Sequence, residues 1–244
     1  MRILLLRLEA PLMAFGGVVV DETGIVTRFP GRSMLTGLLA NALGWDQAEA
    51  AAHQALQQRI RFAARLDRPG QPLVDFHTVD LGQPHLRAAG WTTRGVPEGR
   101  DGGPAKTGTH IRRRHYRSDA RVTVALTLDP PDSHPTVDDL AEAVREPARP
   151  LFLGRKTCLP SAPIHAGLVD EPRLVDALAR HAWACDWFIP PARRPRDLPA
   201  CCPDDESLAD SRTVTVCDDR DWSNQMHTGQ RVMVEGRLIL GGAP

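Results

Sequence analysis

Residues 120–128 read ARVTVALTL, and this stretch decides the fold class because its apolar side chains alternate along the chain. Val122, Val124, Leu126 and Leu128 share one side of an extended segment, which is the period of two that a β-strand requires. A helix is predicted shortly afterwards, over residues 138–146 (DDLAEAVRE), with Thr136 or Asp138 as its capping residue. A strong strand followed closely by an amphipathic helix indicates a mixed α and β fold.

Segments upstream of this strand repeat the same two patterns. Residues 2–8 and 58–66 predict strands, as do residues 73–79. A helix is predicted from Ser33 as its N-cap to Gly44 as its C-cap, and a second, short helix over residues 46–57. The order of strand, helix, strand, long excursion, strand and helix suggests an α+β fold with a ferredoxin-like βαββαβ unit whose middle connection is extended.

The chain after residue 165 predicts further strands and few helices. Residues 173–189 are predicted as a helix followed by a strand, and residues 190–206 as a Pro-rich loop. Strands over 211–217 and 231–240 are predicted to close the fold. The C-terminal part is therefore expected to be rich in β-structure.

The excursion between the strands is the least regular part of the sequence. Residues 81–110 contain seven glycines and three prolines and show almost no periodicity. Loops of this length inside a compact domain are usually functional or disordered. The excursion ends in HIRRRHYR at residues 110–117, which is the densest cluster of cations in the chain.

The overall charge excludes a protein that attracts polyanions through a global field. The 244 residues carry a formal net charge of zero, with 30 Lys and Arg against 30 Asp and Glu. Arginine supplies 28 of the 30 cations, and a G+C-rich coding bias accounts for part of this preference. Because the guanidinium group binds phosphate bidentately and stacks on bases, the places where arginines cluster matter more than their number.

The cysteines and the N-terminus predict a reducing, cytoplasmic setting. Five cysteines form no C-x-x-C pair, and the adjacent Cys201 and Cys202 have no histidines at ligand spacing to help them hold a metal. The apolar triplet near the N-terminus is too short for a signal peptide or a membrane span. We therefore expect no metal, no cofactor and no membrane partner.

Two segments predict anion binding. Residues 150–158 (PLFLGRKTC) place Gly154 beside Arg155 and Lys156, and glycine lets a backbone approach an anion closely. The spacing does not match a nucleotide-binding Walker loop, since Arg155 separates the glycine from the lysine. At the start of the first helix, Arg28, Arg32 and Ser33 are expected to bring guanidinium groups and free backbone amides to one point. A solvated, capped helix start is the alternative.

Five segments in order resemble the CasD subunit family of type I-E CRISPR Cascade complexes, within the repeat-associated (RAMP) superfamily of modified RNA-recognition folds. The segments are LRLEAPLMAFG at 6–16, RFPGRSMLTGLLANALG at 28–44, DFHTV at 75–79, RHYRSDARVTVAL at 114–126 and PLFLGRKTC at 150–158.

The resemblance implies a single RAMP-type domain over residues 1–244, with a ferredoxin-like palm. It implies a flexible thumb inserted at residues 80–118, and it assigns residues 165–244 to the C-terminal part of the palm. Its partners would be the 5′ handle of the CRISPR RNA, the large subunit and the terminal backbone subunit of Cascade, with target DNA engaged indirectly.

The resemblance also implies which residues contact RNA. Phosphate contacts are expected from Arg28, Arg32 and Ser33, and from the loop with Gly154, Arg155 and Lys156. His77 is expected to meet a base or a ribose, although a satisfied histidine at a strand end is an equal alternative. Arg113, Arg114 and Tyr116 are expected to clamp RNA with charge and an aromatic ring.

The alternative to a binding subunit is a metal-independent endoribonuclease that processes CRISPR repeat RNA. Relatives in another CRISPR subtype cut their precursor RNA in this way, and His110, His115, Tyr116 and Lys106 could supply acid and base groups here. General acid–base catalysis requires these groups to converge in space. The type I-E resemblance favours binding without catalysis.

Overall fold

The computed structural model describes residues 1–17, 23–80, 90–91, 97–98, 109–183, 189–190 and 193–241. Four helices lie in this part of the chain: α1 (Arg32–Leu43), α2 (Ala50–Arg59), α3 (Val137–Arg145) and α4 (Leu174–Arg180). The strands of its N-terminal half are β1 (Arg2–Glu9), β2 (Leu12–Met13), β3 (Thr23–Gly24), β4 (Ile60–Arg68), β5 (Gln71–Asp80), β6 (Gly90–Trp91), β7 (Pro97–Glu98), β8 (Thr109–Ser118) and β9 (Arg121–Leu128). They are followed by β10 (His165–Asp170), β11 (Asp197–Pro203), β12 (Ala209–Val216), β13 (Asp219–Asp221), β14 (Met226–Thr228) and β15 (Arg231–Ile239).

One antiparallel sheet of seven strands organises the molecule, in the order β10-β1-β9-β4-β11-β15-β12. Strand β9, which contains the alternating valines and leucines, lies inside this sheet. Its Val124 pairs with Leu6 of β1 on one side and with Ala64 of β4 on the other. Because every residue of β9 is buried, both faces of the sheet must be covered.

Helices cover the two faces of the sheet unequally. On one face, α1, α2 and α3 pack against Leu4, Leu6 and Leu8 of β1 in the larger core. On the other face, α4 packs against Ile3 and Leu5 of the same strand. The alternation of β1 therefore serves two separate hydrophobic layers.

A buried ion pair fastens α4 to the sheet. The Arg65 guanidinium bonds to Asp67 at 2.6 Å, and both side chains are inaccessible to solvent. The same guanidinium donates to the carbonyl oxygens of Leu178 and His181, at the C-terminal end of α4. A cation at this position satisfies carbonyls that a helix end leaves without partners.

A long β-hairpin leaves the sheet between β4 and β9. Strands β5 and β8 pair in register from Gln71↔Ser118 to Asp80↔Thr109, and β8 also pairs with β2 and β3 near its base. Most of the excursion at its tip, residues 81–89, 92–96 and 99–108, lies outside the described residues. The expectation of a thumb at residues 80–118 falls largely on this segment.

Most of the expected elements are present, including the capping box formed by Thr136 and Asp139 on α3 and the left-handed Gly44 after α1. The N-cap assignment of Ser33 was wrong, because α1 begins at Arg32 with Gly31 before it and Ser33 lies in the first turn. The strand β10 was not predicted. A strand predicted near the end of 173–189 lies mostly outside the described residues.

The predicted loop at 190–206 was also wrong, since it contains β11, an interior strand of the sheet. Proline lacks the backbone N–H that a strand ladder needs. Strand β11 tolerates Pro199 and Pro203 because its pairing with β4 is limited to Ala200 and Cys201, between the two prolines. None of the helices in the described part of the chain has the length and apolarity to cross a membrane.

Candidate nucleic-acid interface

The loop at residues 151–158 is a tight turn held against the segment after β2. The Leu153 amide donates to the carbonyl of Cys158 at 2.7 Å, and the Leu153 carbonyl accepts from the Ala14 amide at 3.1 Å. Gly154 has φ +98°, and a Cβ added there would lie 2.0 Å from the carbonyl oxygen of Ala14. The glycine is therefore required by contact with the protein's own backbone, and Lys156 projects from the turn as an exposed cation.

Arg155 fastens this turn to the base of the hairpin. Its guanidinium donates to the carbonyl oxygen of His115 on β8 at 2.9 Å and lies 4.6 Å from the centre of the Tyr116 ring. Tyr116 is 4% exposed and belongs to the larger core. The expectation that its ring is available to an RNA base is not met in this structure, because the ring is buried and Arg155 covers it.

The exposed cations of the hairpin lie beside this junction. Arg113 and Arg114 are exposed on β8, where their backbones pair with Thr23 and Gly24 of β3. On the facing strand, His77 is half-exposed and its Nε2 lies 2.6 Å from a carboxylate oxygen of Asp75. The fold thus brings Lys156 and the two arginines, which are distant in sequence, to neighbouring elements.

The start of α1 is already occupied by acidic groups of the protein. The Arg32 amide donates to the Asp218 carboxylate at 2.7 Å, and the Ser33 amide donates to the Asp218 carbonyl oxygen at 2.9 Å. The Arg32 guanidinium pairs with Asp219. The expectation of free amides and a free guanidinium at this point was wrong, and Arg28 is the exposed cation there, 5.7 Å from the Phe29 ring.

Arg231 completes the occupation of this helix start by binding both carboxylate oxygens of Asp218, at 2.7 and 2.6 Å. Burial acts to raise the pKa of Asp218, but the hydrogen bonds from Arg231 and from the Arg32 amide outweigh it, so the pKa lies below its usual value. An RNA phosphate at α1 would have to compete with this carboxylate.

The β13–β14 hairpin carries functional candidates that the sequence reasoning did not identify as a group. Buried Gln57 of α2 accepts hydrogen bonds from the Arg220 amide and from the Trp222 ring nitrogen, and it donates to the Arg220 carbonyl oxygen. The Trp222 ring packs against His53 at 4.7 Å between centroids. The short fragment Arg220-Asp221-Trp222, which lies outside the five segments named above, also resembles the family and is the signal that could have identified this region.

A groove of about 540 Å³ lies between the β13–β14 hairpin, α1 and the Gly154 turn (residues 151–158). Its walls include Ser33, Gly37 and Asn41 of α1, Gly154 and Arg155 of the turn, and Arg220 and His227 of the hairpin. The positions 33, 37 and 41 are four residues apart and therefore share one face of the helix. Arg155, one of its wall residues, precedes the exposed Lys156 in the chain.

The groups proposed for acid–base chemistry do not converge where they are described. His115 and Tyr116 are neighbours on β8, so their side chains point to opposite faces of the strand. Lys106 and the side chain of His110 lie outside the described residues. No acid–base pair is formed by the two side chains whose positions are known.

In the described ranges, no group of three His, Cys, Asp or Glu side chains is placed to hold a metal ion. Cys201 and Cys202 are both buried, and they belong to the cores on opposite faces of the sheet. Burial raises the pKa of Cys202 to about 12, so its thiol stays protonated at neutral pH. These two residues do not form the metal pair that adjacency in sequence permits.

Comparison with protein families matches residues 3–234 to the family described as CRISPR-associated protein (Cas_Cas5). Among curated proteins, the chain is similar to the CRISPR system Cascade subunit CasD of Escherichia coli (strain K12). The two are 34% identical over 175 residues, which cover 67% of this chain and 70% of the relative.

Solved structures resemble the whole chain. A chain of a CRISPR RNA-guided surveillance complex aligns with a TM-score of 0.68 at 25% identity, covering 98% of this chain and 90% of the other. A structure described as a Cas protein aligns with a TM-score of 0.65 at 26% identity, covering 99% of this chain and all of the other.

Proposed function

The chain belongs to the CRISPR-associated Cas5 family, in its CasD branch, and from that premise we propose that it is a non-catalytic RNA-binding subunit of a type I-E Cascade complex. It holds the 5′ handle of the CRISPR RNA and caps the complex beside the large subunit, as part of a cytoplasmic ribonucleoprotein that targets DNA through the guide in antiviral defence. The similarity to CasD and to a chain of an RNA-guided surveillance complex supports this role.

The palm of this subunit is a ferredoxin-like unit. Strands β1, β4, β9 and β10 occur in the sheet order β10-β1-β9-β4, and helices α1 and α3 lie in the connections that precede β4 and β10. An antiparallel order of fourth, first, third and second strand is the arrangement expected of a βαββαβ unit. The hairpin β5–β8 forms the base of the thumb, which extends over residues 80–118.

The observation that carries the RNA-binding role is the junction of the Gly154 turn with the hairpin. Arg155 is used structurally, and by fastening the turn to β8 it holds Lys156 beside the strand that carries Arg113 and Arg114. All three of these cations are exposed. Arg114 lies two residues from Tyr116 and therefore shares the face of β8 that the turn contacts, whereas Arg113 points to the other face. In a chain with zero net charge, exposed cations on these neighbouring elements suit binding to one short segment of RNA backbone.

The hairpin also suits contact with a neighbouring protein subunit. Val74 and Phe76 lie two residues apart on β5, on the same face of the strand, and are 53% and 56% exposed. Exposed apolar side chains that are close together often mark protein interfaces. We assign this face to the backbone subunit or the large subunit of Cascade.

Binding is favoured over RNA cleavage by the same geometry. Tyr116 is buried beneath Arg155, and its neighbour His115 points to the other face of β8. A general acid and base must both reach the scissile phosphate. Cleavage by these two groups would require the hairpin to rearrange.

The proposed function is tested by gel-shift assays with 5′-labelled CRISPR repeat RNA in EDTA, read for both shift and cleavage. We expect the wild type to shift the RNA without cutting it. The variant Arg113→Ala/Arg114→Ala/Lys156→Ala removes three phosphate contacts, so the slope of log K against log salt concentration should fall in magnitude by about 2.

Arg173→Ala is the matched control, because Arg173 is an exposed arginine at the start of α4, on the opposite face of the sheet. It should bind as the wild type does. Specific cutting in EDTA would favour the endoribonuclease. Equal salt slopes for the triple variant and the wild type would show that these three cations do not contact the RNA.

A further inference from the structure

Two polar atoms on one wall of the groove beside α1 are buried without hydrogen-bond partners among the described residues. They are Nε of Arg220 and Nδ1 of His227. The two residues form a cross-strand pair in the β13–β14 hairpin, so their side chains share one face of it. Buried polar groups are nearly always satisfied, so these two side chains are exceptions that lie next to each other on one wall of the groove.

Arg220 differs from the arginines near it in having no carboxylate partner in the described part of the chain. Arg32 pairs with Asp219 and Arg231 pairs with Asp218, both in the segment that leads into the same hairpin. The Arg220 guanidinium donates to the carbonyl oxygen of Gln225 at 3.0 Å and lies 5.6 Å from the Trp222 ring. A half-buried guanidinium group without a counter-charge is suited to bind an anion through its N–H donors.

The rest of the groove provides space and apolar surface. Ser33, Gly37 and Asn41 are small or short side chains along the open face of α1, and half-buried Trp45 and Phe152 contribute aromatic surface. The volume of about 540 Å³ lies within the range of sites for single small molecules. The groove therefore combines a wall that carries Arg220 and His227 with room for a planar ring.

We propose that this groove holds one unstacked nucleotide of the bound RNA, with its phosphate on Arg220 and His227 and its base against Trp45 and Phe152. The inference rests on the proposed function, because it places the nucleotide within the RNA that this subunit holds. An RNA strand is the natural source, since Gly154 and Arg155 line the groove and the next residue in the chain, Lys156, is an exposed cation. Single-stranded RNA is commonly recognised through splayed bases that stack on aromatic side chains.

The phosphate contact is tested by fluorescence anisotropy with labelled single-stranded repeat RNA at several salt concentrations. Arg220→Gln should weaken binding about tenfold and lower the salt slope by about 0.7, the value for one phosphate contact on a single strand. Arg220→Lys keeps the charge and should retain the slope. Arg173→Gln, on α4, is the control with the same loss of charge away from the groove, and thermal melting verifies that each variant is folded at the assay temperature.

The base contact is tested by replacing one nucleotide of the RNA at a time with an abasic residue. At one position, the abasic replacement should weaken binding to the wild type but should not weaken binding to Trp45→Leu any further, because the base and the ring it contacts act as a pair. The inference would be overturned if abasic replacement weakened RNA binding equally at all positions, or if its effect on affinity added fully to that of Trp45→Leu.

The remaining outcomes separate this inference from the function on which it rests. If the wild type binds RNA and Arg220→Gln binds it with the same affinity and salt slope, the groove is not used by RNA while the RNA-binding function stands. If Arg220→Gln weakens binding of a nucleoside 5′-monophosphate but not of RNA, the groove is a site for free nucleotides and the inference is wrong. If the wild type binds neither probe, both proposals fail.

Discussion

Gly154 was correctly expected to let its backbone approach a neighbouring group closely, but the expected neighbour is not the one found in the structure. The sequence suggested a glycine that allows close backbone approach, and the anticipated neighbour was an RNA phosphate. In the structure, the close neighbour is the Ala14 carbonyl oxygen, which stands where a Cβ would add a severe clash. The turn must have this shape before it can present Lys156 to any ligand.

Replacement of Gly154 by alanine should lower the free energy of unfolding by more than about 2 kcal/mol, because left-handed backbone strain is added to the clash with Ala14. The loss is measured as a shift of the midpoint in urea denaturation. Gly229→Ala is the matched control, since Gly229 has φ +70° but no atom within 4 Å of an added Cβ. Gly229→Ala should lower the free energy of unfolding by about 1 kcal/mol. Similar losses at the two positions would show that the clash with Ala14 does not contribute to the effect of Gly154→Ala.

The strand β11 and the β13–β14 hairpin are among the elements that were not predicted, because their local signals were weak. The prolines of β11 resembled a loop, although pairing with β4 avoids them. The hairpin strands are three residues each, which is too short to show a period of two. The hairpin is held in place by Gln57, a residue with no distinguishing local signal in the helix that contains it.

Gln57→Leu should release this hairpin from α2. The change leaves the Trp222 ring nitrogen and the backbone of Arg220 without their partner, at a cost of about 2 kcal/mol. Hydrogen exchange followed by mass spectrometry should show faster exchange across residues 219–228. Gln58→Leu changes an exposed neighbour on the same helix and should leave that exchange unaltered, and protection that survives in Gln57→Leu would mean that other contacts hold the hairpin.

At the scale of the whole molecule, two adjacent carboxylates connect the C-terminal part of the chain to its first helix. Asp218 and Asp219 meet the first turn of α1, which is 186 and 187 residues away in the chain. Many other arginines of the described residues are also paired with carboxylates, for example Arg61 with Asp205 and Arg237 with Asp197. Within the described residues, much of the balanced charge therefore forms internal ion pairs, and the arginines in those pairs are not free to bind RNA.

The link through Asp218 should make stability depend on pH. Because the pKa of Asp218 is lowered in the folded state, its contribution is present above the unfolded pKa of about 3.9 and is lost as the pH falls towards the folded value. Asp218→Asn should therefore cost about 2 kcal/mol at pH 7, and its difference from the wild type should shrink below about pH 4. Urea denaturation between pH 2.5 and 7 measures this, with Asp204→Asn on an exposed turn as the control. A difference that stays constant with pH would assign the effect of the Asp218→Asn substitution to packing.

The regular elements of the palm were predictable because their signals are local. Alternation in residues 120–128, helical spacing after Arg32 and the Thr136 cap each depend on neighbours within a few positions. The family was also recognisable from short segments in a fixed order. These features established an α and β fold of the Cas5 family from the sequence alone.

The partners of the charged and aromatic side chains were settled by folding. Arg32 meets Asp219, Tyr116 is covered by Arg155, and Arg220 lines a groove and has no carboxylate partner among the described residues. Each of these outcomes joins residues that are distant in the chain, so no period or spacing encodes it. A cation is available to RNA only if the completed fold leaves it unpaired, and that depends on which segments the sheet brings together.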